Sequence, residues 1–278
     1  MKRQWILGLA IMGLLAATAC SGDNEPASES TNYVNDEPTT SVSTDWDESV
    51  YLTKDVLYPR NSKLKREYRV RSDGTYSLSS EYQYDNLGRI SKILYSTSGI
   101  FLLYEYDAKG LLSSISRYDN DQIISVIIYS YDDVGNKTKE ETKYVETSAV
   151  SSTISYIYDE TGKLVKSEHL EFYDYIGGDA YYIIEYEYNS DNEMIIERLS
   201  VPGDESAPVI TKHFYKDGLL YYSVTHGSGN YFLSDKKRIY DLNGNLVKTI
   251  TDMPGLSSTI NEDGSPLHFY ETRAYEYE

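Results

Sequence analysis

The chain is poor in the residues from which most reactive sites are built. Its 278 residues include one cysteine, Cys20, two tryptophans and four histidines, His169, His213, His226 and His268. A single thiol leaves no internal disulfide and no zinc site of paired cysteines. The histidines form neither His-Glu-x-x-His nor an i, i+2 pair that could share a metal from one strand, and no Gly-x-Ser-x-Gly elbow or glycine-rich phosphate loop occurs. Neighbouring acids such as Asp119 with Asp121, Asp132 with Asp133, and Glu262 with Asp263 fit no calcium-binding loop and are expected to cap turns or face solvent. These absences point to a protein that is not an enzyme, with no cofactor and no metal site.

Positive charge is scarce too. Lysine and arginine number 26 against 44 acids, a net charge of −18. A surface of that sign is repelled by phosphate backbones and anionic head groups, so nucleic acid is not an expected partner and any membrane association has to run through a lipid. Cationic partners, divalent ions and neutral glycans remain open. No segment carries the pattern of a long amphipathic helix. The apolar run from Trp5 to Ala17 is too short to span a bilayer comfortably.

Tyrosine is what the chain has in quantity: 30, against five phenylalanines. Many stand in a repeated phrase, first met at Tyr82-Gln83-Tyr84-Asp85-Asn86-Leu87-Gly88-Arg89-Ile90. Tyr-x-Tyr alternates at the strand period, Asp opens a turn by accepting backbone N–H groups, and Gly takes the left-handed conformation that closes it. The frame recurs at Tyr84-Asp85 with Gly88, Tyr106-Asp107 with Gly110, Tyr131-Asp132 with Gly135, Tyr158-Asp159 with Gly162, and Tyr240-Asp241 with Gly244. Tyr188-Asn189 with Asn192, and Tyr215-Lys216-Asp217-Gly218, are degenerate copies. Asn tolerates positive φ, and Asp-Gly suits a two-residue hairpin. Between these regular turns the returns vary in length and composition, the longest running from Asp252 to Pro266. A varied edge on a regular scaffold is where recognition is expected.

This phrase resembles the YD repeat of the RHS and teneurin-type proteins, whose Y-D-x-x-G-R-L units build long antiparallel sheets. The resemblance covers residues 64 to 278, with Gly88-Arg89-Ile90, Gly162-Lys163-Leu164 and Gly244-Asn245-Leu246 as its best matches. The chain has too few units to form the large toxin-enclosing shell of that family. It is closer to the small YD-repeat lipoproteins of Bacteroidetes-type bacteria. The fold expected is all-β, an antiparallel meander of YD hairpins forming a curved or superhelical sheet, with a closed barrel as the alternative, because some sixteen strands cannot lie flat.

The expected organisation has three parts. Residues 1–19 read as a lipoprotein signal peptide, with Lys2 and Arg3 before the apolar run and Ala17-Thr18-Ala19-Cys20 as a lipobox. Residues 20–49 read as an acidic flexible tether whose first acids resemble a surface-export signal or make a plain acidic linker. Residues 50–278 form the β domain. Cys20 is then the lipidation site and the route to the membrane, placing the protein on the outer membrane, at the cell surface or, alternatively, on the periplasmic face. The expected function is a non-catalytic envelope lipoprotein presenting a β-repeat recognition surface to a glycan or protein partner. An accessory component of an outer-membrane or secretion assembly, and a polysaccharide-acting enzyme, are the alternatives. The Tyr-x-Tyr faces are either a stacking platform for sugar rings or cross-strand ladders that hold the sheet together.

Overall fold

A computed structural model describes residues 51–278 other than 97–98, 173–177, 228–231 and 255–267. The leader, Cys20 and the tether therefore lie outside the described residues, as does most of the return from Asp252 to Pro266.

Seventeen strands follow one another: β1 (Leu52–Thr53), β2 (Leu64–Val70), β3 (Tyr76–Tyr84), β4 (Ile90–Tyr95), β5 (Ile100–Tyr106), β6 (Leu112–Asp119), β7 (Gln122–Tyr131), β8 (Lys137–Tyr144), β9 (Val150–Tyr158), β10 (Leu164–Glu171), β11 (Ala180–Tyr188), β12 (Met194–Ser200), β13 (Val209–Lys216), β14 (Leu219–His226), β15 (Phe232–Asp241), β16 (Leu246–Pro254) and β17 (His268–Tyr277). The alternating β-branched and aromatic residues make these segments strands, and the Asp-x-x-Gly frame ends them. In the entry segment only Leu52–Thr53 is a strand; residues 56–58, whose apolar pattern also suggests one, are not.

The turn chemistry is uniform. In each of five Asp turns the N–H of the Gly donates to the Asp carbonyl, as Gly88 does to Asp85 at 2.9 Å, and the Asp N–H donates to the residue after the Gly. One Asp carboxylate oxygen accepts two further N–H groups, two and four residues on: Leu87 and Arg89 at Asp85, Thr161 and Lys163 at Asp159. The glycines are left-handed, at φ 79° for Gly88 and 82° for Gly162, and Asn192 does the same work at 66°. Asp217 and Gly218, at 52° and 74°, make the two-residue turn.

Each strand from β2 to β17 pairs antiparallel with the next, and the last returns to the first, Thr272 opposite Val70 through Tyr277 opposite Leu64. Glu278 and Lys63 then exchange two backbone hydrogen bonds at 3.0 and 3.3 Å. The sheet is thus a closed sixteen-stranded barrel, the alternative arrangement, and not an open curved or superhelical sheet. The reason lies in a repeated defect. The register slips beside eight tyrosines near the Asp rim: Tyr84, Tyr106, Tyr131, Tyr158, Tyr188 and Tyr277, each second in a Tyr-x-Tyr, and Tyr215 and Tyr240, where His213 and Arg238 stand in the place of the first tyrosine. A bulge bends and twists its strand. Eight of them at one level curl the sheet until β17 meets β2, and closure removes both edges.

β1 adds to the end of β15 in parallel, Leu52 opposite Tyr240. Residues 51–62 form a strap across the rim of Asp turns. Tyr51, 4% exposed, donates its hydroxyl to Asp217 at 2.6 Å. Asp241, fully buried, accepts the Tyr58 N–H at 2.8 Å, and the Asn245 side chain donates to the carbonyls of Tyr58 and Pro59. On the outer wall the strap borders a cavity of about 620 Å³ that Leu52, Val56, Tyr68 and Ile239 line.

Candidate functional site in the barrel lumen

Alternation gives the barrel two walls of different character. The outward positions carry Arg66 and Glu81, Lys139 and Glu141, Lys166 and Glu168, and Arg198 and Glu187, most of them in ion pairs at the surface. Charges at mid-wall cost about 2–4 kcal/mol each for Arg or Lys facing lipid. The wall is built for water. The inward positions carry the Tyr-x-Tyr pairs, deeper burial, and side chains that reach neighbours one to three strands away. Sixteen strands about 4.8 Å apart correspond to a backbone diameter of about 24 Å before tilt, wide enough to leave a water-filled centre.

The second tyrosine of each pair, and Tyr240 with it, is structural. The hydroxyls of Tyr84, Tyr106, Tyr131, Tyr158, Tyr188, Tyr240 and Tyr277 donate to the backbone carbonyls of Leu64, Ile90, Leu112, Lys137, Leu164, Leu220 and Leu246, at 2.6 to 2.9 Å. Each reaches the start of the preceding strand, where the bulge has left the ladder short of a partner. Burial pushes the Tyr277 hydroxyl up to about 12. The basic residue after the turn glycine covers the ring of the next unit, Arg89 lying 4.0 Å from the Tyr106 centroid and Lys163 5.5 Å from that of Tyr188.

The first tyrosine of each pair sits farther from the Asp rim and faces the lumen. Tyr82 donates to Glu67 at 3.2 Å, Tyr156 to Glu140 at 3.1 Å, and Tyr186 shares a hydrogen bond with Ser167, which also meets His169. Burial, reinforced by Glu140, raises the pKa of Tyr129 and Tyr156. Lys137 lies between these two rings, 5.3 and 4.3 Å from their centroids. Toward the opposite mouth the same wall exposes rings, with Tyr95 at 39%, Tyr144 at 53% and Phe269 at 49%.

The wall from β12 to β2 is different. His213 Nε2 lies 2.8 Å from Glu197 and Nδ1 2.9 Å from Ser223, while Arg238 donates to the same Ser223 oxygen at 2.9 Å. A carboxylate only accepts, so Nε2 carries a proton, and in the neutral ring Ser223 donates to Nδ1. The order of groups is that of an activated hydroxyl, but Ser223 is 7% exposed and its oxygen already accepts from a guanidinium. The relay's effect is to orient Arg238. Next to it stand Lys236 and Arg273, the latter bound to Glu67 and Glu271.

The fifteen turn residues read from the sequence all lie at one rim, five of them glycines at positive φ. They shape the barrel, and the lumen behind them is the candidate site. Two things escaped sequence reasoning: the eighth unit, Tyr275-Glu276-Tyr277, where Glu278 pairs with Lys63 in place of a turn, and the cations of β15. The second had a signal, since Lys236, Arg238 and Tyr240 alternate in phase with the tyrosine face. Among the described residues no group of three metal-ligating side chains is present.

No protein-family model matches the chain, and no curated protein matches it in sequence. Among solved structures, a porin-like protein from Bacteroides uniformis is similar, with a TM-score of 0.50 and 12% identity over 80% of this chain and 100% of that one. The likeness shows the fold alone. The TcdB2-TccC3 complex gives a TM-score of 0.38 at 12% identity, covering 78% of this chain and 13% of that one. The Photorhabdus luminescens Tc holotoxin pore gives 0.35 at 12%, covering 73% and 11%. The chain spans about an eighth of the length of those toxin chains, and at such scores they do not bear on its fold.

Proposed function

We propose that this protein is a non-catalytic envelope lipoprotein, anchored through Cys20, whose barrel offers its tyrosine-lined lumen to a glycan that enters by the mouth opposite the Asp turns. The observation that carries the reading is the division of labour within Tyr-x-Tyr. The second ring is locked to the backbone, whereas the first, at Tyr82, Tyr129, Tyr156 and Tyr186, lines a wide polar lumen with carboxylates and hydroxyls beside it. Rings of this kind stack on sugar faces while neighbouring polar groups hold hydroxyls. The charged outer wall suits a protein held to a membrane by lipid rather than by its strands. On this reading the barrel sits at the end of an acidic tether on the outer membrane, at the cell surface or on its periplasmic face.

Two experiments test it. Cys20→Ser should release the protein from membranes, and a variant that still fractionates with them would overturn the anchor. With the full chain carrying Cys20→Ser, Tyr129→Ala with Tyr156→Ala should abolish binding on a glycan array while Tyr181→Ala on the outer wall leaves it intact. Equal binding by all three proteins would remove the lumen as the site. A protein partner captured at the mouth, with no glycan bound, would favour the accessory role in an envelope assembly.

A further inference from the structure

Most of the cations in ion pairs lie on the outer wall, whereas Lys236 and Arg238 of β15 face the lumen and form no ion pair with a carboxylate among the described residues. Lys236 and Arg238 stand two residues apart, on one wall and about 7 Å along the strand. Lys236 lies opposite Ser223 and Thr251, and Arg238 opposite Thr249. Among the described residues the Lys236 side chain makes no hydrogen bond or ion pair, and it is exposed on the lumenal face. Arg238 donates to Ser223 and meets no carboxylate among the described residues; Tyr215, Tyr240 and Tyr275 surround it. The other charges facing this patch are Arg273 and Arg69, both bound to Glu271, Glu67, bound to Arg273, and Glu197, bound to His213. Four Lys and Arg side chains therefore face three carboxylates, none of which meets Lys236 or Arg238. Desolvation by the surrounding barrel wall, then Arg238 and Arg273, lower the pKa of Lys236 although its side chain reaches the lumen, and burial lowers that of Arg238.

Resting on the glycan reading above, we infer that this patch is a subsite for the anionic group of an acidic polysaccharide, with Arg238 and Lys236 holding the carboxylate or sulfate and the adjoining tyrosine rings holding the sugar. A guanidinium with most of its donors free is matched in shape to two oxygens of such a group, and the Glu197–His213–Ser223 relay keeps it aimed. The overall charge of −18 does not oppose this. At physiological ionic strength the Debye length is about 8 Å, so charges on the outer wall are screened from the lumen. The sign that a bound anion meets is the local one.

The test uses the full chain with Cys20→Ser and three matched probes: polygalacturonate, its carboxyl-reduced neutral form, and a sulfated form of that neutral polymer. The acidic polymers should bind about tenfold or more tightly than the neutral one, as a charge-assisted pair requires. They should also protect Lys236 from an amine-acylating reagent, read by mass spectrometry, without protecting Lys139 or Lys166 outside. Carboxylate and sulfate arms decide which anion is preferred. Lys236→Gln and Arg238→Gln should erase the preference for acidic polymers and leave neutral binding unchanged; the exposed Lys236 site serves if the Arg238 variant fails to fold. Equal binding of acidic and neutral polymers overturns the anion subsite alone. Absence of binding by all three, with Lys236 unprotected, overturns it together with the glycan reading.

Discussion

Tyr158→Phe removes one oxygen and nothing else, which makes it a sharp probe of the repeat. In the parent that hydroxyl donates to the Lys137 carbonyl at 2.9 Å, beside the step from Ser130 to Tyr131 where the ladder of β7 and β8 slips. A net hydrogen bond of this kind contributes about 0.5–1.5 kcal/mol. For a domain of this size that lowers the melting temperature by about 1–6 °C. Tyr158→Ala also removes the ring, and a half-buried aromatic should cost about 2–4 kcal/mol. Outward Tyr181→Ala, at 40% exposed, should cost less than Tyr158→Ala. Because the same bond recurs at Tyr84 and Tyr240, which lie in separate units, Tyr84→Phe and Tyr240→Phe should add to Tyr158→Phe almost linearly. Thermal denaturation followed by circular dichroism checks all of these. A triple Phe variant that melts with the parent would refute the lock and leave these tyrosines as ladder rings only.

Two further predictions concern the turns. At Gly162 a Cβ would meet nothing within 4 Å, so Gly162→Val tests backbone strain alone and should destabilise by about 1–3 kcal/mol. Gly162→Asn should be milder, as Asn192 already holds φ 66° in the same frame; equal melting temperatures for the two would contradict it. The second is acid sensitivity. The Arg89 N–H holds Asp85 below the ordinary carboxylate range, and Thr161 with the Lys163 N–H does so for Asp159. Folded pKa values below the unfolded one give stability that is present above about pH 4 and lost as pH falls through the folded value. Asp85→Asn with Asp159→Asn keeps the acceptor oxygen, as Asn189 does, but cannot titrate. Its melting temperature should fall less than the parent's between neutral pH and acid, and parallel curves would refute the assignment.

Strands and turns were legible because both are local. A period of two, broken by Asp-x-x-Gly, marks β3 to β9 almost residue by residue, and even the degenerate turn at Asn189 follows from the tolerance of Asn192 for positive φ. Closure was not legible, because the pairing of Leu64 with Tyr277 joins strands more than two hundred residues apart. What drives it, a bulge at the rim tyrosine of each unit, shows in sequence only as an extra residue before the aliphatic restart. The lumenal cations were hidden by averaging. Net charge described the outer wall, whereas Lys236 and Arg238 needed the phase of one strand and the knowledge that this phase points inward.

A lumen exists only if the barrel is closed, so the junction of β17 with β2 is the place to measure. Ala274 lies directly opposite Tyr68, where opposed Cβ atoms stand about 4.5–5.5 Å apart, close to disulfide reach. Tyr68→Cys with Ala274→Cys, in a chain carrying Cys20→Ser, should oxidise to an intramolecular disulfide in the folded protein and raise its melting temperature on oxidation. Thiols that stay free under oxidant, or that link only one molecule to another, would mean an open sheet and no lumen.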